Sequence, residues 1–295
     1  MTRKLMVNLF FVAVLIGLSP KVKSQITFGV FADCQYCDCE TNGNRFYRNS
    51  LDKLENCIRE FNSNNVEFIV GLGDLIDRDF SSYDSVIPIL MKAKTEVFQV
   101  IGNHDLAVDK EDFEKVPQKL KLEKTWYSFS KNGWRFIFLN GNDLTFQSTD
   151  PQIVENAKAL TTALKNEGKP NYHEWNGGIG KEQLRWMESQ LKEAQTTEQK
   201  VILFCHYPLL PYEVHSLWNT EEVLDILKKY DCIKCWMNGH NHAGNYTFYE
   251  DIHFLNLKGM VETSDINTFS IITLYKNSIE VTGFGNEQQR SLPLN

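Results

Sequence analysis

The stretch VFQVIGNHD, residues 97–105, joins a short apolar run to three chemically able side chains. Val97 to Ile101 has the β-branched and aromatic content of a buried strand, and Gly102 marks the turn that ends it. Asn103, His104 and Asp105 follow at once: an amide, an imidazole and a carboxylate. The same order recurs along the chain. ITFGVFADCQ (26–35) ends on Asp33 and Gln35, and VEFIVGLGD (66–74) ends on Gly73 and Asp74. VILFCHYP (201–208) runs into His206, and IKCWMNGHNH (233–242) into His240 and His242. Five apolar strands each deliver polar, ligand-type groups just past their carboxyl ends.

Helical patterns separate these strands near residues 47–61, 85–94 and 221–229, which argues for an α/β architecture. In open α/β sheets the loops beyond the strand carboxyl ends converge on the ligand site. The five loops are therefore expected to meet. The end of the chain changes character: residues 246–248, 252–257, 269–275 and 278–282 read as strands with short connections, an antiparallel edge or a second sheet. Residues 140–180 form a long polar segment with a helix over 152–165, the size of a lid or substrate-binding insertion.

Carboxylate, amide oxygen and imidazole together suit manganese, iron or zinc rather than a thiolate-selected metal. A carboxylate placed between two ions bridges them about 3.5–4 Å apart, the spacing of two-metal hydrolytic sites. Each piece alone is weak, since a single His at a strand end is most often an ordinary hydrogen-bonded residue. Four of the seven histidines nevertheless fall inside these motifs. His173, His215 and His253 lie outside them, and His253 reads as an ordinary packed residue.

The series Asp33-x-Gln35, Gly73-Asp74, Gly102-Asn103-His104-Asp105, His206 and Gly239-His240-x-His242 resembles the calcineurin-like metallophosphoesterase superfamily. Within it, Gln35 stands where His is usual. That points to the manganese-dependent ADP-ribose/CDP-alcohol diphosphatases, which Arg45-Phe46-Tyr47-Arg48, Asn176-Gly177-Gly178-Ile179-Gly180 and Leu217-Trp218-Asn219 also resemble. The resemblance implies a four-layer αββα sandwich with two divalent metal ions at the strand carboxyl ends, Mn2+ first, with Fe, Zn and Mg as alternatives. It implies Asp33, Gln35, Asp74 and His242 around one ion, and Asp74, Asn103, His206 and His240 around the other, with Asp74 bridging. His104 is implied as the catalytic group at the leaving oxygen, with Asp105 either orienting its imidazole or capping a turn.

Arg48 is a candidate for a second phosphate or else a solvated helix residue. Asn176, Gly177 and Gly178 are candidates for close approach to substrate, against the alternative of an ordinary turn. Trp175, Tyr36 and Trp218 are candidates for stacking on a base or for packing. The implied reaction is hydrolysis of a nucleoside diphosphate linked to a sugar or alcohol. Another phosphoesterase specificity and a metal-bound binding protein without turnover are the alternatives.

Arg3 and Lys4, the apolar run from Leu5 to Leu18, and the small residues Val22 and Ser24 before Gln25 read as a secretory leader over 1–24. The remainder, 25–295, suits one domain, with 140–180 inserted. The whole chain carries a net charge of −7. The leader holds four basic residues and no acid, leaving 27 basic against 38 acidic, or −11. That balance excludes the basic footprint of a nucleic-acid binder. A small-molecule nucleotide partner, no membrane span after leader removal, a monomeric state, and a secreted or periplasmic location are expected. All seven cysteines follow the leader, so an odd number leaves at least one thiol outside internal pairs. Cys232 and Cys235 read as core thiols. The pairing among Cys34, Cys37, Cys39 and Cys57 stays open.

Overall fold

A computed structural model describes residues 25–295, and the expected leader lies outside them. The apolar runs become strands: β1 (Ile26–Phe31), β2 (Ile69–Gly71) and β3 (Val97–Gln99) in the first half. Two helices pack beside them, α1 (Ser50–Ser63) and α2 (Tyr83–Leu90), followed by the short α3 (Lys110–Phe113) and α4 (Val116–Lys119). A hairpin follows, β4 (Tyr127–Lys131) and β5 (Trp134–Phe138), then α5 (Pro151–Asn166), α6 (Lys181–Thr196), β6 (Lys200–Phe204), α7 (Thr220–Leu227) and β7 (Ile233–Asn238). The chain closes with β8 (Asn245–Tyr249), β9 (Ile252–Asn256), β10 (Thr268–Leu274), β11 (Ser278–Gly285) and β12 (Arg290–Pro293).

Two six-stranded mixed sheets result, ordered β12-β11-β10-β1-β2-β3 and β4-β5-β6-β7-β9-β8. The period of two along each strand decides which layer a side chain enters. In β6, Ile202 and Phe204 enter the space between the sheets, whereas Val201 and Leu203 face α6 and α7. Phe31, Ile69 and Ile271 turn the other way and meet Leu54, Ile58 and Phe61 of α1 and Val86 and Leu90 of α2. The architecture is αββα. The central layer is aromatic: Phe28 stacks on Phe68 at 4.7 Å and meets Phe136 and Phe204 edge-on at 5.9 and 6.0 Å. At the open edge, the Tyr127 hydroxyl accepts from the Gln99 N–H at 3.1 Å and donates to the Gln99 carbonyl at 2.8 Å. That contact caps β3 with the neighbouring sheet's outer strand.

Three features depart from the pattern-based expectation. The four C-terminal strands split, β8 and β9 joining the second sheet while β10 and β11 pair beside β1. The β4–β5 hairpin and β12 were not anticipated. The hairpin turns at Asn132 and Gly133, both left-handed at φ 49° and 82°, the backbone that tight hairpins need. Residues 140–180 hold α5, which starts where the Asp150 carboxylate accepts from the Gln152 N–H at 2.8 Å and Pro151 opens the helix. Cys235 is a buried thiol and Cys232 a half-buried one, while Cys37 and Cys39 are joined as a disulfide.

Truncating the most central ring is expected to be costly. Phe28→Ala should lower unfolding free energy by about 3–5 kcal/mol, measured by urea denaturation, because it empties a fully buried position.

Candidate dimetal site

The carboxyl ends of β1, β2, β6 and β7 and the loop after β3 meet at one edge of the sandwich. Reaching that point bends the backbone. Asp33, Gln35, Asp74 and His240 are all left-handed, at φ 51°, 44°, 54° and 69°. Non-glycine residues held this way cost about 1–3 kcal/mol each and persist only where the surroundings over-determine them. Those surroundings are visible. The buried Asp105 carboxylate accepts from the N–H groups of Asp74 (2.8 Å), Gly102 (2.9 Å) and Leu75 (3.0 Å) and from the Tyr83 hydroxyl (3.0 Å). Asp74 Oδ1 accepts from the His104 N–H at 2.8 Å, and Asp33 accepts from the His240 N–H at 3.1 Å. Gly102 admits this closeness. A Cβ there would strike the Asp74 carboxylate and lie 2.5 Å from the Asp74 backbone nitrogen.

The side chains then face one another. His206 Nε2 lies 3.2 Å from Asn103 Oδ1 and 3.3 Å from Asp74 Oδ2, and His240 Nδ1 lies 3.2 Å from His206 Nε2. On the other side of Asp74, the Gln35 amide nitrogen is 3.1 Å from Asp74 Oδ2 and 3.2 Å from His242 Nε2. His242 Nε2 is in turn 3.5 Å from Asp33 Oδ1. Two donor groups therefore share Asp74.

Outer contacts set which nitrogen of each ring carries its lone pair inward. His206 Nδ1 donates to the Leu72 carbonyl at 2.8 Å, His240 Nε2 to Asn176 Oδ1 at 2.9 Å, and His242 Nδ1 to Glu262 Oε1 at 2.7 Å. The opposite nitrogen of every ring points at the cluster. Among the described residues, Asp74, His206 and His240 offer ligand atoms all within 4.8 Å of one another. Gln35 Oε1 is buried without a hydrogen-bond partner, and turning the amide over brings that oxygen to the cluster. Inward lone pairs, shared carboxylates and an orphaned amide oxygen are the donor set of two divalent cations, and these residues fit them.

The electrostatics agree. Burial works to raise the Asp74 carboxyl, yet His206, His104 and His240 together hold it well below the usual carboxylate range. Burial and the Asp74 charge push Asp105 up to about 6. Burial opposes protonation of His206 and His242, but Asp74 and Asp33 respectively raise them to about 9. His240 falls well below its ordinary value, through burial and then through His206 beside it. In the absence of a cation, protons hold the inner nitrogens of His206 and His242.

For several residues the structure decides between the alternatives held open above. Asp105 takes the turn-capping role and does not orient His104, because its oxygens are committed to four backbone N–H groups, Ile76 at 3.4 Å being the fourth, and to Tyr83. The His104 partner is Asp77, whose Oδ1 faces Nδ1 of the ring while Arg78 holds Oδ2 at 2.5 Å. Arg48 is tied outward to Asp38 at 2.5 Å and Glu40 at 2.8 Å, both highly exposed. Arg45 instead lines the cavity of about 390 Å³ over the cluster, with His104, Trp175 and His215. Asn176 is buried and fixes His240; its amide nitrogen goes to the Asn171 and Val214 carbonyls. Gly177 and Gly178 are buried against Gly141, Tyr207 and Leu144. Trp218 is packed edge-on to Phe146, its ring N–H on the His173 carbonyl at 3.0 Å. Tyr36 packs in the α1–α2 core. Trp175 is 47% exposed and stacks on His173 at 4.0 Å, which stacks on Tyr172 at 4.6 Å. His253 bridges the Tyr246 hydroxyl and the Pro293 carbonyl.

Residues 26–244 match the sequence profile of the calcineurin-like phosphoesterases. The chain belongs to that family. Calcineurin-like phosphoesterase relatives named manganese-dependent ADP-ribose/CDP-alcohol diphosphatase match over nearly full length. The protein from Arabidopsis thaliana is 28% identical, over 87% of this chain and 93% of its own. That from Mus musculus is 27% identical, over 94% and 96%. A solved dimetal phosphatase from Danio rerio shares the fold, with a TM-score of 0.82 and 24% identity over 92% of this chain and 99% of that one. A purple acid phosphatase from yellow lupin superposes with a TM-score of 0.60 at 14% identity, over 91% of this chain and 53% of its own.

Two outcomes are expected. Because His206 and His242 titrate near 9 without a cation, metal binding at neutral pH must displace their protons. Calorimetry in buffers of different ionisation enthalpy should show proton release, with affinity climbing from pH 6 towards 9; pH-independent affinity would contradict the assignment. Gly102→Ala should lose high-affinity metal binding while the protein keeps its far-UV circular dichroism.

Proposed function

We propose that this phosphoesterase is a manganese-dependent diphosphatase that hydrolyses the pyrophosphate of nucleoside diphosphates linked to a sugar or alcohol, such as ADP-ribose and CDP-alcohols. The reading is carried by the full-length relatives bearing that name, 28% and 27% identical. Gln35 in the otherwise imidazole-rich set supports it, since an amide oxygen is a harder ligand that suits manganese.

Asp33, Gln35, Asp74 and His242 would hold one ion, and Asp74, Asn103, His206 and His240 would hold the other. Ions bound there supply Lewis-acid chemistry: activation of water at neutral pH and neutralisation of phosphate charge. The chain does the rest. His104 lines the cavity with its Nδ1 on Asp77, which leaves Nε2 to pass a proton to the departing phosphate oxygen. The buried Asp77 carboxylate stabilises the imidazolium that does so. Burial works to raise Asp77, but the hydrogen bonds from His104 and Arg78 outweigh it and hold the carboxyl below its usual range, keeping it ionised. Arg45 makes no side-chain hydrogen bond or ion pair among the described residues, and its guanidinium is placed to clamp phosphate oxygens. Trp175, propped on His173, offers an exposed ring face for the base. With the leader over 1–24, the enzyme acts outside the cytoplasm on released nucleotides.

Purified protein should turn over ADP-ribose and CDP-choline with Mn2+, less with Mg2+, and not with chelator. A cyclic nucleotide and a chromogenic diester should be poorer by about tenfold or more in kcat/KM. Preference for the diester or a monoester would overturn the diphosphatase reading. Asp77→Asn should lower kcat by about 10²–10⁴-fold with little change in KM. N-terminal sequencing of exported protein should begin at Gln25, and an intact N-terminus on cytoplasmic protein would refute export.

A further inference from the structure

A second cavity, of about 440 Å³, adjoins the first across His240 and His242, and Arg45 and His215 line both. Its far walls are Asn44, Lys258, Gly259, Thr268 and Asn286. The two sides differ in chemistry. Trp175 borders only the first. The second has no Phe, Tyr or Trp among its lining residues, and offers amides, a hydroxyl and a lysine.

The charges there are unequal in availability. Glu262 is the acid lining this cavity, and it is held by His242 and Asn44. Glu213 is taken by Asn241 at 2.5 Å and lies 3.4 Å from His215 Nδ1. Glu287 accepts from the backbone N–H of Lys258 at 2.9 Å and of Gln288 at 2.9 Å. Lys258, half-buried, has no ion-pair or hydrogen-bond partner for its ammonium among the described residues. Its stem lies over Gly244, where a Cβ would come 2.5 Å from Lys258 Cγ. The next residue, Gly259, donates its N–H to the His242 carbonyl at 3.1 Å. Lys258 is thus a free cation fixed to the backbone of a cluster residue, in a protein whose overall charge is negative.

We propose that this second cavity is the subsite for the non-nucleoside arm of the substrate, and that Lys258 selects that arm by charge. The inference rests on the diphosphatase reading. The aromatic ladder takes the base on one side of the cluster, so the arm on the opposite side of the scissile phosphorus enters the Lys258 cavity. There the ammonium and the Asn286 amide bind the hydroxyl and phosphate oxygens of a phosphorylated sugar. A quaternary ammonium arm, as in a choline ester, meets like charge and is disfavoured. Lys258 is a specificity-determining residue and takes no part in bond making.

The test uses the full manganese-loaded protein and the variants Lys258→Ala and Lys258→Glu. KM for ADP-ribose should rise by about tenfold in Lys258→Glu, while KM for CDP-choline falls, with kcat for both within about twofold of the parent. Calorimetry with ribose 5-phosphate and phosphocholine should show the same inversion of affinity without turnover. Opposite changes for the two arms cannot come from a general loss of structure. Parallel changes, or none, in a parent that hydrolyses both substrates would overturn the subsite and leave the diphosphatase reading standing. A parent that turns over neither substrate, yet binds ribose 5-phosphate in a Lys258-dependent way, would refute the diphosphatase reading and keep the subsite.

Discussion

The buried carboxylate of Asp105 is the point on which the site turns. Its five donors come from the loops after β2 and β3 and from Tyr83 of α2, so a single side chain sets the distance between two strand ends and the helix behind them. Leaving those backbone N–H groups without an acceptor costs about 1–3 kcal/mol for each. That cost keeps Asp74 in its left-handed conformation and brings its carboxylate between the two groups of imidazoles. The aromatic layer between the sheets makes the platform stiff, and the Asp105 network makes its edge exact in register.

Around this core the polar groups form two concentric rings. The inner ring is Asp33, Gln35, Asp74, Asn103, His206, His240 and His242. The outer ring is the Leu72 carbonyl, Asn176 and Glu262, with Asp77 doing the same for His104. Each outer acceptor takes the hydrogen on one side of an imidazole and thereby presents a lone pair on the other. Burying so many carboxylates and imidazoles without a counter-cation is unfavourable, since the inner histidines repel when protonated and the aspartates when ionised. The same arrangement that would destabilise a bare core is matched to a pair of divalent charges.

The inner ring was legible because each member follows its strand within a few residues, and the strands announce themselves by local composition. The outer ring was not. Glu262 lies twenty residues beyond His242, and Asn176 reaches His240 from sixty-four residues earlier in the sequence; no local pattern marks either. Asp105 was left between two roles for a related reason, since its neighbour in sequence is His104 while most of its partners come from the loop after β2 and from α2. Arg48 and Arg45 sit three residues apart near α1, and only the exposed acids Asp38 and Glu40 decide which one turns outward. The β4–β5 hairpin was within reach, because Asn132-Gly133 between apolar runs is a strong turn signal. The division of the last strands between two sheets was not, because it depends on which strand lies beside β1.

That last pairing has a consequence for how the molecule assembles. Ile26 is in register with Leu274, and the chain just past β1 is bound by residues 260 and 261: Ala32 and Asp33 give their carbonyls to the Met260 and Val261 N–H groups at 3.0 and 2.9 Å. One of the two neighbours of β1 therefore comes from a segment far along the sequence, and the other from β2 close by. Contacts so distant in sequence close slowly, because the loop entropy must be overcome before they stabilise anything. Because the anchor of Asp33 is itself one of these long-range contacts, the geometry of the metal cluster depends on β10 and the 260–261 segment being in place.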